Sequence, residues 1–266
     1  MQWMDTMEPR DSPSWPTRVP EYHLVRPIIG SAPNGRRDPD PTPASAAAAG
    51  PQAYVVENGS ARRTLRIHFH LVDQFQLAVD GDATIGRSDL RRGIVHYADR
   101  HTPYGPLRYG SPGLAYLTLR AATDTGASYM PDAAEELATT LERDEREAST
   151  RRNLTRDLGA EAPRPDDGWV NVVADDDGLR IRIVDLPGGV IAPPTTVAGA
   201  GAFGVVLAGT VDDGRRHGLG ALVWCPPGTR PVVPAGAGGA RVALLQLPGP
   251  RGPDPATVPT NGGTAE

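Results

Sequence analysis

Between Ala53 and Leu119, apolar and polar residues alternate in short runs, AYVVENG, TLRIHFH, QFQLAVDG, GIVHYA and LAYLTLR, separated by Gly, Asp and Pro. A period of two over runs this short predicts strands whose successive side chains face opposite ways. Strands recurring about every ten residues with turn residues between them predict a sandwich or a barrel. The rhythm returns from Trp169 to Leu247 in WVNVVAD, GLRIRIVDLPGG, FGVVLAGTVDDG, LGALVWCPPG and ARVALLQLP. The pattern therefore predicts an all-β chain with two strand-rich blocks.

The segment between the blocks differs. Over 131–158, Pro131 suits a first helical turn, acidic residues come early and Arg late, which matches a helix dipole. Its apolar positions are sparse, chiefly Leu137, Leu141 and Leu154, so the predicted helix lies on the surface as a connector. The first 52 residues comprise a Trp/Pro/Arg segment, the extended piece EYHLVRPIIG and the low-complexity run RRDPDPTPASAAAAGPQ, which has a linker's composition. The piece around His23 to Ile29 is apolar enough to add an edge strand or to clamp a partner subunit. The tail from Gly249 has too little apolar surface to fold. The expected organisation is an arm and linker (1–52), a first barrel (53–124), a helical connector (125–165), a second barrel (166–248) and a tail (249–266).

Composition narrows the function classes. All 27 basic residues among the 266 are Arg, and the formal charge of −5 is spread without a basic stripe, which argues against a nucleic-acid partner. No run of about 18 apolar residues appears, and MQWMDTMEPRDSPSWP lacks the basic-then-apolar order of a secretory signal, so the expected location is cytoplasmic and away from membranes. The single cysteine, Cys225, rules out an intrachain disulfide and reads as a small buried hydrophobe in VWCPPG.

Four of the six histidines fall within 68–101. In TLRIHFH, alternation puts Leu65, Ile67 and Phe69 on one face and Arg66, His68 and His70 on the other, so the two imidazoles point the same way. In QFQLAV, Phe75, Leu77 and Val79 share a face opposite Gln74, Gln76 and Ala78. If the two strands pair as a hairpin through LVD, the His and Gln side chains share a face. A third and a fourth histidine, His96 and His101, follow in RRGIVHYADRHTPYGP. There Pro103, Gly105 and Pro106 fix a loop that carries Tyr104, either as a hydroxyl over the barrel mouth or as a packed ring.

His68-Phe-His70, three residues, Gln74, six residues and Gly81 resembles the first motif of the cupin family, with Gln74 where that motif has Glu. Gly93-Ile-Val-His96 is similar to the core of the second cupin motif, with Arg91 at its Pro position and Arg100 at its closing Asn position. The resemblance implies a small antiparallel barrel holding one divalent metal, with His68, His70 and His96 as ligands and Gln74 as the fourth. Spacing alone leaves His101 as an alternative to His96. An amide oxygen in place of a carboxylate leaves the site about one positive charge richer. Three imidazoles suit Fe, Ni, Cu or Zn as readily as Mn, without choosing among them.

The second block also resembles a cupin, but PPTTVAGAGAF stands where His-x-His belongs and Pro231 stands where the later histidine should follow Pro226-Pro-Gly228. That half is expected to be a degenerate, metal-free barrel, with His217 a solvated residue of the DDGRRHG turn. The whole then reads as a two-cupin protein of jelly-roll barrels, a homodimer by resemblance. The function it implies is metal-dependent oxidation of a small organic substrate by a dioxygenase, with Gln76, His101 and Tyr104 contacting substrate. The alternative is a non-catalytic barrel that binds a small ligand.

Overall fold

In the computed structural model, residues 2–6, 23–30, 50–59, 64–124, 126–143, 151–159 and 168–249 are described. Most of the low-complexity linker and nearly all of the tail lie outside them. The all-β reading holds: the described residues form sixteen strands and one helix, joined by turns and loops.

The N-terminal barrel contains β1 (His23–Ile29), β2 (Gln52–Asn58), β3 (Thr64–Leu65), β4 (His68–Phe69), β5 (Gln74–Ile85), β6 (Ser88–Arg91), β7 (Ile94–Ala98), β8 (Leu107–Arg120) and β9 (Ser128–Tyr129). Helix α1 (Ala134–Arg143) and strand β10 (Asn153–Asp157) follow. The main sheet runs β1-β2-β8-β5-β7-β10, with β3 on β8 and β6 on β5, while β4 and β9 form a separate pair. His23–Ile29 of the predicted extended piece thus forms an edge strand, antiparallel to β2.

The C-terminal barrel contains β11 (Val170–Ala174), β12 (Arg180–Leu186), β13 (Gly201–Asp212), β14 (Arg216–His217), β15 (Leu222–Cys225) and β16 (Ala235–Leu247), with β11-β12-β16-β13-β14 as its path and β15 on β13. The two barrels are copies in register. In the first, Phe75 pairs with Tyr97 and Leu119; in the second, Phe203 pairs with Trp224 and Leu245. Counting from these partners, Gln74, Gln76, His96 and Thr118 correspond to Ala202, Gly204, Val223 and Leu244. Gly81 and Gly209 stand at matching bulges with φ of 76° and 69°, each with the next strand's backbone where a Cβ would be.

The alternation along β5 decides which barrel face meets what. Phe75, Leu77 and Val79 join Val95, Tyr97, Leu117 and Leu119 in a core shared with Ile181, Ile183, Phe203, Val205, Leu222 and Leu245 of the second barrel. Gln74, Gln76 and Ala78 face the other way. Both faces of β5 are therefore buried, one against the second barrel and one inside its own.

Three expectations are corrected. Among the described residues the helical reading of 131–158 holds over α1, while Asn153–Asp157 is β10, paired with β7 from Asn153↔Ala98 to Asp157↔Ile94. A strand edge that pairs the backbone of β7 and packs Leu154 against the core outweighs a charge order that suits a helix. The hairpin through LVD does not form, because β7 and β8 occupy both edges of β5 and β4 pairs with β9 instead. His217 is not solvated: it is 1% exposed, with Nδ1 3.1 Å from Asp5 Oδ1 and Nε2 3.0 Å from Asp213 Oδ1. Asp5 reaches it across 212 positions, a contact with no local signature. Cys225 is buried as expected, and burial pushes its thiol up to about 11.

Candidate functional site

Inside the N-terminal barrel, β5 and β7 set Gln76 directly across from His96, and β8 sets Thr118 on the other side of Gln76. Directly opposed residues hold their Cβ atoms about 5 Å apart, so the Gln76 and His96 side chains are neighbours. Into this space the loop after β7 sends Tyr104, which is anchored by two backbone hydrogen bonds with His68 (3.2 and 3.0 Å). The Tyr104 ring centroid lies 4.5 Å from that of His68, 4.9 Å from His96 and 6.2 Å from His70.

The Tyr104 hydroxyl is the hub. The Nδ1–H of His68 donates to the Arg66 carbonyl at 2.8 Å, which leaves Nε2 as the lone-pair nitrogen. Tyr104 donates to that nitrogen at 2.9 Å and accepts from Gln74 Nε2 at 2.5 Å and Gln76 Nε2 at 3.3 Å. Gln74 is oriented by Arg120, whose Nε and Nη2 donate to its Oε1 at 3.0 and 2.8 Å. The amide therefore turns its nitrogen, not its oxygen, toward the cluster.

His70 belongs to a second set. Its Nδ1 is 2.5 Å from Asp124 Oδ2 and 3.0 Å from Arg120 Nη2, and the Gly126 backbone adds a further hydrogen bond. Arg120 is fully buried, pairs with Asp124 at 3.2 Å and donates to Gln52 Oε1 at 2.8 Å. His101 lies in the turn after β7 with φ of 56°, and its ring is 6.2 Å from Phe69. Of the two histidines that spacing left open, His96 stands against Tyr104.

Burial governs the electrostatics. It lowers His68 to about 3, helped by the nearby His70, and lowers His96 to about 3 by itself. Both imidazoles are neutral lone-pair donors across the physiological range. Burial, then the Arg120 charge, also lowers His70. For Asp124, burial acts upward but Arg120 and His70 outweigh it and hold the carboxyl below its usual range. Burial pushes the Tyr104 phenol up, so it stays protonated unless something replaces its proton.

Two buried atoms of the cluster have no hydrogen-bond partner: His96 Nε2 and Gln76 Oε1. The proton of His96 lies on Nδ1, toward Thr155 Oγ1 at 3.3 Å, when Nε2 is the bare nitrogen. Among the described residues no three His, Cys, Asp or Glu side chains converge as an ion-holding group. The donor set is instead two imidazole nitrogens, from His68 and His96, with the oxygens of Gln76 and Tyr104. One bare imidazole nitrogen, a second that accepts from the Tyr104 hydroxyl, and an unpaired amide oxygen in a buried space fit a borderline divalent cation.

Arg120, Asp124, Gln52 and Thr155 were not singled out from the sequence. An arginine closing the apolar run LAYLTLR was a usable signal for Arg120. Asp124 and Thr155 reach their partners across 54 and 59 positions, which spacing does not reveal.

No family model matches the chain, and no curated protein matches it. Solved structures do. Oxalate decarboxylase from Bacillus subtilis, in a structure at pH 4.6, superposes with a TM-score of 0.53 at 12% identity, over 87% of this chain and 74% of the other. A further oxalate decarboxylase structure, described for an element that modulates proton-coupled electron transfer, gives 0.53 at 13% identity over 87% and 75%. A cupin 2 conserved barrel domain protein from Leptotrichia buccalis aligns over 85% of this chain and 89% of its own, at 13% identity and a TM-score of 0.44. At such identities the likeness is one of fold. With its paired barrels and matching bulges, this chain has the double-barrel fold of the cupins.

Proposed function

We propose that the N-terminal barrel binds one divalent transition metal, Fe, Ni, Cu, Zn or Mn, through His68 and His96 with Gln76 and Tyr104, and uses it in dioxygenase-type oxidation of a small organic substrate. The observation that carries this reading is the pair of buried neutral imidazoles beside two unpartnered acceptor atoms, His96 Nε2 and Gln76 Oε1. Buried polar atoms are normally paired, and a cation would satisfy both.

The metal, when bound, would supply Lewis acidity and a place for oxygen chemistry. The residues around it have separate tasks. The Arg66 carbonyl and Thr155 hydroxyl hold the two imidazoles in the tautomer that aims Nε2 inward. Arg120 holds Gln74 so that its amide N–H faces the cluster, where it can donate to a substrate oxygen. The Tyr104 hydroxyl can hold or release a proton there, its release favoured only by a neighbouring positive charge. An open groove lined by Tyr129, Asp132, Glu135 and Glu136 lies beside the cluster, with the Tyr129 ring 5.6 Å from that of His68, and supports an approach from that side.

The second reading, a non-catalytic ligand-binding barrel, is favoured by one observation: the Tyr104 hydroxyl already has one acceptor and two donors, so the hub is saturated without a cation. Metal analysis separates the two. Protein purified without chelator is expected to carry close to one metal per chain by mass spectrometry, and the His68→Ala/His96→Ala variant to lose it. Wild-type protein without metal after reconstitution with each of the five ions would sink the dioxygenase reading and leave the ligand-binding barrel. The expected homodimer would form over β1, whose outer edge has no strand partner among the described residues. Light scattering after size exclusion tests it.

A further inference from the structure

The interior of the C-terminal barrel is filled from outside its own strands. Trp3 is 3% exposed and packs in the core of that barrel with Ala202, Val223, Cys225 and Leu244. A Cβ on Gly204 would stand 3.3 Å from Trp3 Cη2 and 2.9 Å from Val223 Cγ1, so glycine is what leaves room for the six-membered edge of the indole. By register, Gly204 and Val223 are the counterparts of Gln76 and His96. The indole therefore sits where the first barrel has its cluster.

The segment that carries Trp3 is held at the barrel rim by few bonds. Met4 exchanges two backbone hydrogen bonds with Leu222, at 2.8 and 2.9 Å. Thr6 Oγ1 donates to the Gly220 carbonyl at 2.8 Å, and Asp5 meets His217. β10 does the same for the first barrel, its Arg156 opposite Val95, the counterpart of Leu222. There, however, the residue at the place of Trp3 is Thr155, which leaves the interior to Tyr104 and the His and Gln side chains. The two barrels thus share an interior position, taken in one by the loop-borne Tyr104 ring among polar side chains and in the other by a tethered indole. A segment that pairs with β15 at one residue, Met4, can open without breaking the barrel's own ladders.

We propose that the C-terminal barrel is a binding site for a planar aromatic molecule of indole size, which Trp3 occupies as a displaceable plug. Apolar cavities of this kind take up flat apolar molecules once their filler is removed. A free ligand must compete with a tethered indole, so the intact chain binds it more weakly than a chain without the plug. Displacement frees the β15 edge and also the Thr6 carbonyl, which accepts a hydrogen bond from Arg26 on β1. Occupancy of the second barrel is thereby felt at the edge strand of the first. Nothing in this depends on the metal.

Indole itself is the probe. Trp3→Ala protein is expected to bind one indole per chain by calorimetry and to gain about 3 °C or more in Tm at saturation, while the wild type binds at least about tenfold more weakly. Adding Val223→Phe, which fills the vacated space, should abolish the binding. Folded Trp3→Ala protein that does not bind indole, binding that survives Val223→Phe, or equal affinity in the wild type would overturn the proposal. The wild type labelled with 5-fluorotryptophan gives a readout that needs no folded variant: indole should move the Trp3 fluorine resonance to its solvent-exposed position. A Trp3 resonance unmoved at millimolar indole would equally overturn it.

Discussion

Tyr104 and His68 hold each other twice, through a pair of backbone hydrogen bonds and through the phenol donating to Nε2 at 2.9 Å. The residue at the centre of the first barrel is thus delivered by a loop and fixed by the strand that bears the histidines. Replacing Tyr104 by Phe keeps the ring and removes the hub, leaving the His68 Nε2 lone pair and the Gln74 N–H without a partner. The expected cost is about 1–3 kcal/mol, the penalty for unpaired buried polar groups, read from urea denaturation. Metal retention should fall with it.

Arg120 donates twice to the oxygen of Gln74, and it faces the buried Asp124 carboxylate. Arg120→Met leaves that carboxylate with His70 and the Leu71 backbone but no cation, which should cost about 3–5 kcal/mol. Asp124→Asn in the same chain should recover part of the loss, because the charge left unpaired is then gone. A double-mutant cycle by denaturant unfolding measures the coupling. Independent, additive losses would separate the two residues.

The lowered values of His68 and His96 predict how metal-stripped protein responds to acid. Both are about 3 in the fold against an ordinary 6.5, so the unfolded chain binds more protons between these values. Stability is fully present above pH 6.5 and falls as pH drops toward 3, by about 1 kcal/mol per pH unit for each histidine. Urea midpoints between pH 7 and pH 5 should show this slope, and His96→Gln should reduce it by half. Bound metal should leave this slope in place between pH 7 and pH 5 and extend it to lower pH, since the cation holds both imidazoles unprotonated further into acid.

Gly81 and Gly209 provide a matched pair. An added Cβ would lie 2.0 Å from the Gly113 carbonyl oxygen in the first barrel and 2.2 Å from that of Gly239 in the second, at left-handed φ in both. Gly81→Ala and Gly209→Ala are each expected to cost more than about 1 kcal/mol by thermal or urea denaturation. Only Gly81→Ala should lower metal binding, because only the first barrel carries the donor cluster.

What the sequence determined by itself was the part of the fold that repeats every second residue. Alternation in QFQLAV separated Gln74 and Gln76 from Phe75 and Leu77, and the structure buries the two sets on opposite faces for the same reason, the pleat of a strand. The repeat of strand-rich blocks made two barrels legible, and the absence of His-x-His in the second made it legible as the one without a cluster. Pairing across long stretches of chain was not legible. The plug at Trp3, the burial of His217 by Asp5 and the closure of the first barrel by β10 all join positions that no local pattern relates. The same holds for the choice of Tyr104 as hub: its loop could place the ring over the mouth or inside, and only the backbone pairing with His68 decided that it turns in. Periodicity fixes which face a side chain takes, because that is a property of the strand; which partner covers that face depends on burial summed over the whole molecule.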